Sequence, residues 1–138
     1  MILLDTNVLS ELMRPSPNLV VSVWLDQHPP EDLWTASVVI AEILAGIEIM
    51  PPGRKQNSLR TEIEGMLEED FEGQLLYFDL TAARLYGQIV SARRRKGRPI
   101  REMDALIAAT ALANGATLAT RNVSDFEDCG IQLVNPWD

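Results

Sequence analysis

Three acidic residues sit where acids are costly. Asp5 closes the first apolar run, Met1-Ile2-Leu3-Leu4, while Glu42 and Asp104 fall on helical stretches whose neighbours are almost all apolar. Burying a carboxylate is unfavourable unless a cation, a set of hydrogen bonds or protonation compensates it. Three in one fold call for a shared reason, and a divalent cation, which takes several hard oxygen ligands, is the simplest. Each acid also has a plainer use. Asp5 and Asp104 could cap helix starts. Glu42 resists that explanation, because no Lys or Arg lies three or four residues to either side of it. Asn122 and Asp125, in Arg121-Asn122-Val123-Ser124-Asp125, are both candidates for turning inward, and the sequence leaves open which does.

Other chemistries find no support. His28 is the single histidine and precedes two prolines, which argues against a Ser-His-Asp arrangement and against histidine-rich metal sites. Cys129 is the single cysteine, so no internal disulfide or cysteine cluster can form, and it reads as structural or incidental. No glycine-rich phosphate loop occurs. Trp24, Trp34 and Trp137 are expected in the core or an interface rather than in a base-stacking platform.

The net charge of −8 argues against a protein that coats nucleic acid through bulk positive charge. Of the twelve Lys and Arg residues, however, six gather at Arg93, Arg94, Arg95, Lys96, Arg98 and Arg101, a stretch that leads straight to Asp104. A basic rim beside an acidic site could guide a phosphate backbone; a solvated helix end is the plainer reading.

The elements that must position these groups follow from apolar pattern and breakers. Ile2 to Leu4 predict a buried strand, followed by a helix over about Asn7 to Met13 that Pro15 stops. Pro17 opens a second helix, which ends before His28-Pro29-Pro30. Leu33 to Ala36 predict a short strand, and Ser37 caps a buried helix through Ile47 that carries Glu42. A surface helix spans about Arg54 to Asp70, followed by a strand at Leu75 to Phe78. Asp79 or Thr81 caps a long helix running into the basic stretch, broken at Gly97 and Pro99. An all-round apolar helix over about Glu102 to Asn114 carries Asp104, with strands at Thr117 to Thr120 and Ile131 to Val134. Short apolar strands alternating with helices indicate a parallel sheet covered on both faces, whose ligands gather beyond the strands' carboxyl ends. With 138 residues, 46% of them hydrophobic, one domain over residues 1–138 is expected. No stretch is apolar for long enough to span a membrane, and the cytoplasm is the expected location.

The opening Leu4-Asp5-Thr6-Asn7-Val8-Leu9-Ser10-Glu11, the Ala41-Glu42 pair, Asp104-Ala105-Leu106-Ile107-Ala108, Ala119-Thr120-Arg121-Asn122 and the closing Asn135-Pro136-Trp137 together resemble the PIN-domain family, and within it the VapC and FitB toxins of bacterial toxin–antitoxin pairs. The resemblance spans essentially the whole chain and is weakest from about Pro51 to Gly73. It implies an α/β fold, a PIN-like three-layer α/β/α arrangement with a short, mostly parallel central sheet. It also implies an endoribonuclease dependent on Mg²⁺ or Mn²⁺, a homodimer, and a cognate antitoxin through which alone operator DNA would be bound. By position, the resemblance makes Asp5, Glu42 and Asp104 the acidic triad, with Asn122 at a fourth position that is often Asp. Asp5 and Asp104 would bind the metal, with Thr6, Thr120 and Asp125 supporting from behind. Arg93, Arg94, Arg98 and Arg101 would contact the RNA backbone. A competing reading is a weakly active or inactive PIN-fold module that works with an antitoxin in operator binding and autoregulation. A small-molecule phosphatase fits less well, since Asp5-Thr6-Asn7 lacks the Asp-x-Asp pairing such a site would use.

Overall fold

A computed structural model describes residues 1–138. Five strands form one sheet in the order β3-β2-β1-β4-β5: β1 (Ile2–Leu4), β2 (Leu33–Ala36), β3 (Leu75–Leu76), β4 (Thr117–Ala119) and β5 (Leu133–Val134). Every neighbouring pair is parallel, so the sheet is wholly rather than mostly parallel. Successive strand residues point to opposite faces. Leu3 and Leu4, Thr35 and Ala36, and Leu118 and Ala119 are nevertheless all fully buried. Both faces are therefore covered, which makes the arrangement a three-layer α/β/α fold.

Six helices do the covering: α1 (Thr6–Leu12), α2 (Leu19–Asp26), α3 (Ser37–Glu48), α4 (Arg54–Gly65), α5 (Leu80–Arg95) and α6 (Glu102–Ala113). The surface helix α4 ends in a π-helical turn over Met66–Asp70, and a 3-10 turn at Val123–Phe126 follows β4. The central helix α6 buries Asp104, Ala105 and the unbroken run Ile107 to Ala111, as its all-round apolar sequence requires.

Several element boundaries differ from expectation, β4 among them, ending at Ala119 instead of Thr120. Strand β3 stops after Leu76, where Tyr77 is 63% exposed, and β5 spans only Leu133–Val134. Helix α3 starts at Ser37 itself, so Ser37 is its first residue and not its cap.

The chain runs from β1 to β2 and β3 on one side, then crosses to β4 and β5 on the other. The order reverses between β1 and β4, and in open parallel sheets a crevice opens beyond the strand ends at that point. The Asp5 N–H donates to the Ala119 carbonyl at 2.9 Å, which fixes the ends of these two strands side by side.

The basic stretch behaves differently from the expected phosphate guide. Arg93 is 4% exposed. Its guanidinium donates to the carbonyls of Arg98 at 2.7 Å, Asp125 at 2.9 Å and Glu127 at 3.0 Å. It is a buried strap between the end of α5 and the loop after β4, which corrects its assignment as an RNA contact. Arg93→Ala is expected to cost about 2 kcal/mol in denaturant unfolding, since water can reach some of the orphaned carbonyls; Arg93→Lys should recover only part, because one ammonium cannot span all three.

Candidate active site at the sheet's carboxyl edge

Beyond the ends of β1 and β4 lies an open pocket lined by four acids: Asp5 after β1, Glu42 on α3, Asp104 on α6, and Glu11 on α1, which is paired with Arg14. Asp5 is 4% exposed and held from several sides. Its Oδ1 accepts the Thr6 N–H at 2.8 Å, so it does cap α1. Its Oδ2 accepts the Thr120 hydroxyl at 2.7 Å and the Asn7 amide at 3.2 Å. The Thr120 oxygen in turn accepts the Asn122 N–H at 3.0 Å. One hydroxyl thus ties the loop after β4 to the acid after β1.

Glu42 is not the buried acid its apolar neighbours suggested; its side chain is 30% exposed at the pocket edge. The Thr6 hydroxyl donates to its Oε1, and Arg101 approaches its Oε2 at 3.9 Å. Arg101 is itself 71% exposed, so it stands on the rim and does not fill the space between the acids. Asp104, in the first turn of α6, is 9% exposed.

The electrostatics of the pocket are those of crowded, desolvated acids. Burial pushes the Asp104 carboxyl up to about 6, opposed by Arg101 and reinforced by Asp5, Asp125 and Glu42. Asp5 is also raised, first by burial and further by Glu42, against the hydrogen bonds it accepts. Desolvation and neighbouring like charge both disfavour the ionised form. A cation would relieve both.

The donors fit a hard cation. All are oxygens, with no thiol or imidazole among the lining residues. The carboxylates do not close into a three-acid cage. Mg²⁺ characteristically binds one or two carboxylates and keeps several waters, a habit that suits Asp5 and Asp104 with Glu42 set back against Thr6.

Asn122 lines the pocket with an exposed side chain, whereas Asp125 lies outside the lining and reaches Asp104 only through charge. Of the four arginines expected to meet substrate, only Arg101 lines the pocket. Arg94 is exposed outside it. Arg98 is engaged with Glu127 at 3.2 Å and Asp128 at 3.4 Å. The rim instead carries Arg14 and Arg121, neither of which sequence reasoning singled out, together with Trp137. Arg121 directly follows Thr120, a signal that was available in Ala119-Thr120-Arg121-Asn122. Trp137 likewise closed the Asn135-Pro136-Trp137 motif, whereas Arg14 carried no comparable signal.

The family model described as PIN domain matches residues 2–130. The chain belongs to the PIN-domain family. Other members include the plasmid stability protein StbB of Pseudomonas syringae pv. tomato, to which this PIN domain is 44% identical over 138 residues, covering 100% of this chain and 99% of that one. The VapC ribonuclease Y4jK of Sinorhizobium fredii is 38% identical over 138 residues, with the same coverage. Among solved structures, FitAB bound to an IR36 DNA fragment aligns with a TM-score of 0.91 at 39% identity, over 100% of this chain and 96% of that one.

Proposed function

We propose that this PIN domain is a Mg²⁺- or Mn²⁺-dependent endoribonuclease and the toxin of a toxin–antitoxin pair, working as a homodimer. The observation that carries the reading is the pocket itself, where Asp5, Glu42 and Asp104 meet from distant parts of the chain and burial raises two of them. The similarity to a VapC ribonuclease over the full chain supports RNA as the substrate.

Asp5 and Asp104 would hold the cation. When bound, it supplies a water of lowered pKa and offsets charge developing on the phosphate. Glu42, oriented by the Thr6 hydroxyl, is placed to hold the attacking water and take its proton. The Asn122 amide can orient a water or a phosphate oxygen without adding charge. Thr120 fixes the Asp5 carboxylate. Arg14, Arg101 and Arg121 around the rim would meet the phosphate backbone. A loop or single-stranded segment suits an open pocket of this kind better than a duplex.

A protein partner is supported by an apolar groove lined by Met13, Pro15, Ile43, Ile47, Met50 and Leu59, which opens beside Thr6 and Glu42. An antitoxin segment lying there would shield the acids from RNA. Similarity to FitAB on a DNA fragment supports binding of operator DNA through that antitoxin.

The test is cleavage of a labelled structured RNA by purified protein. Chelation should stop it and added Mg²⁺ or Mn²⁺ restore it; cutting that persists in chelator contradicts the reading. Thr120→Val should lower cation affinity by about 10- to 100-fold by freeing the Asp5 carboxylate, as isothermal titration with Mn²⁺ would record. An unchanged affinity would remove Thr120 from the site.

A further inference from the structure

The three arginines on the pocket rim are not equivalent. Arg14 pairs with Glu11 at 3.2 Å, and Arg101 approaches Glu42 at 3.9 Å. Arg121 has no carboxylate partner in any ion pair of the protein. Its guanidinium lies 5.0 Å from the centroid of the Trp137 ring. Trp137 is also the single hydrophobic residue lining this otherwise polar pocket.

Both partners are fixed at their roots. The Arg121 N–H donates to the Asn7 side-chain oxygen at 3.2 Å, which links it to the network around Asp5. The Trp137 N–H donates to the Asn135 side chain at 2.9 Å, and the indole packs against the core. The indole therefore lies under an exposed guanidinium, the two in cation–π contact. Arg121 is exposed and lines the pocket.

A guanidinium seated over an indole at the rim of an acidic pocket offers a surface of a particular kind. Arginine planes stack on nucleobases, and unpaired bases in single-stranded RNA are free to splay onto them. Lysine offers the same charge without the plane. We propose that Arg121, backed by Trp137, is a nucleobase subsite that receives one unpaired base next to the scissile phosphate. The inference rests on the ribonuclease reading and deepens it: the acids would cut, and the stacked pair would position the strand. Base identity would matter little, because every base has a stacking face.

The experiment uses a single-stranded twelve-residue RNA and the full-length protein with Mg²⁺. After the cut is mapped in the wild type, each flanking base is replaced in turn by an abasic ribose. One such replacement should raise KM roughly tenfold with little change in kcat. Arg121→Lys, at an exposed position where folding is not at stake, and Trp137→Phe should each raise KM on the intact RNA. In Arg121→Lys the same abasic replacement should then cost nothing further.

Full activity in Arg121→Lys would show that charge alone suffices and would overturn the subsite. An abasic penalty that adds undiminished to the Arg121→Lys defect would overturn it as well. If the wild type fails to cut any RNA, the nuclease reading falls separately. Binding of fluorescein-labelled strands with an abasic ribose placed at each position in turn, followed by anisotropy, then decides the subsite: an abasic penalty lost in Arg121→Lys supports it, and equal binding of all strands removes it.

Discussion

Asp5→Asn should reduce metal-dependent RNA cleavage by about a thousandfold or more, with the protein still folded. A charge that holds the cation is worth several kcal/mol at the transition state, and each 1.4 kcal/mol is tenfold in rate. The local structure should survive. An asparagine oxygen can still accept the Thr6 N–H that caps α1. The new amide nitrogen cannot accept from Thr120 and Asn7 as Oδ2 does, and the Thr120 oxygen already accepts from Asn122 and Asn7, so these contacts are lost at about 1–2 kcal/mol. Removing a raised, crowded acid also relieves repulsion with Glu42. The protein should therefore still melt cooperatively, below wild type by a few degrees at most as the relieved repulsion offsets part of the loss, while cleavage of a labelled structured RNA disappears. Equal cleavage by the two proteins would take Asp5 out of the chemistry.

The second large effect is with pH. The Asp104 carboxyl lies at about 6 in the fold against 3.8 in an exposed chain. Without cation, the folded form binds the extra proton between those values, so stability falls as pH rises from about 4 to about 6. At about 1.4 kcal/mol per pH unit, the loss reaches about 3 kcal/mol at most. Cation binding has the opposite dependence, because the metal must displace the Asp104 proton. Apparent Mn²⁺ affinity should be highest above about pH 7 and weaken by about tenfold per pH unit below about 6 through Asp104 alone, about a hundredfold by pH 4, with the raised Asp5 steepening the fall. Added Mn²⁺ should accordingly raise the melting temperature more at pH 7 than at pH 5. Isothermal titration across that range is the check, and a flat profile would separate Asp104 from the cation.

Much of the frame was legible because it rests on continuous apolar runs. Ile2 to Leu4 and Leu33 to Ala36 are strands where their runs predict them, and Thr117 to Ala119 falls one residue short of its predicted run to Thr120. Asp5 ends one of them, so its place at the carboxyl edge followed from strand position alone. The fate of each charged side chain was less visible. Arg93 belongs to a basic run by sequence, but Ala82, Ile89 and Arg93 fall on one face of α5, which is the buried face. That spacing was present in the sequence, and the run of cations masked it. Glu42 sits among apolar residues on α3, yet the pocket opens at its position and leaves it partly exposed. Trp137 read as a core or interface residue and does pack on the core, but it also lines the pocket rim beside Arg121. Long-range pairings of this kind come from the sheet order, which local pattern does not encode.

Crystals soaked in Mn²⁺, with anomalous diffraction recorded at the manganese edge, test the central claim most directly. The expected result is a manganese peak within bonding distance of the Asp5 and Asp104 carboxylates, with Glu42 facing a metal-bound water, and no such peak in Asp5→Asn. Manganese found only elsewhere on the surface, or an Arg101 side chain seated between the two carboxylates under saturating Mn²⁺, would contradict it.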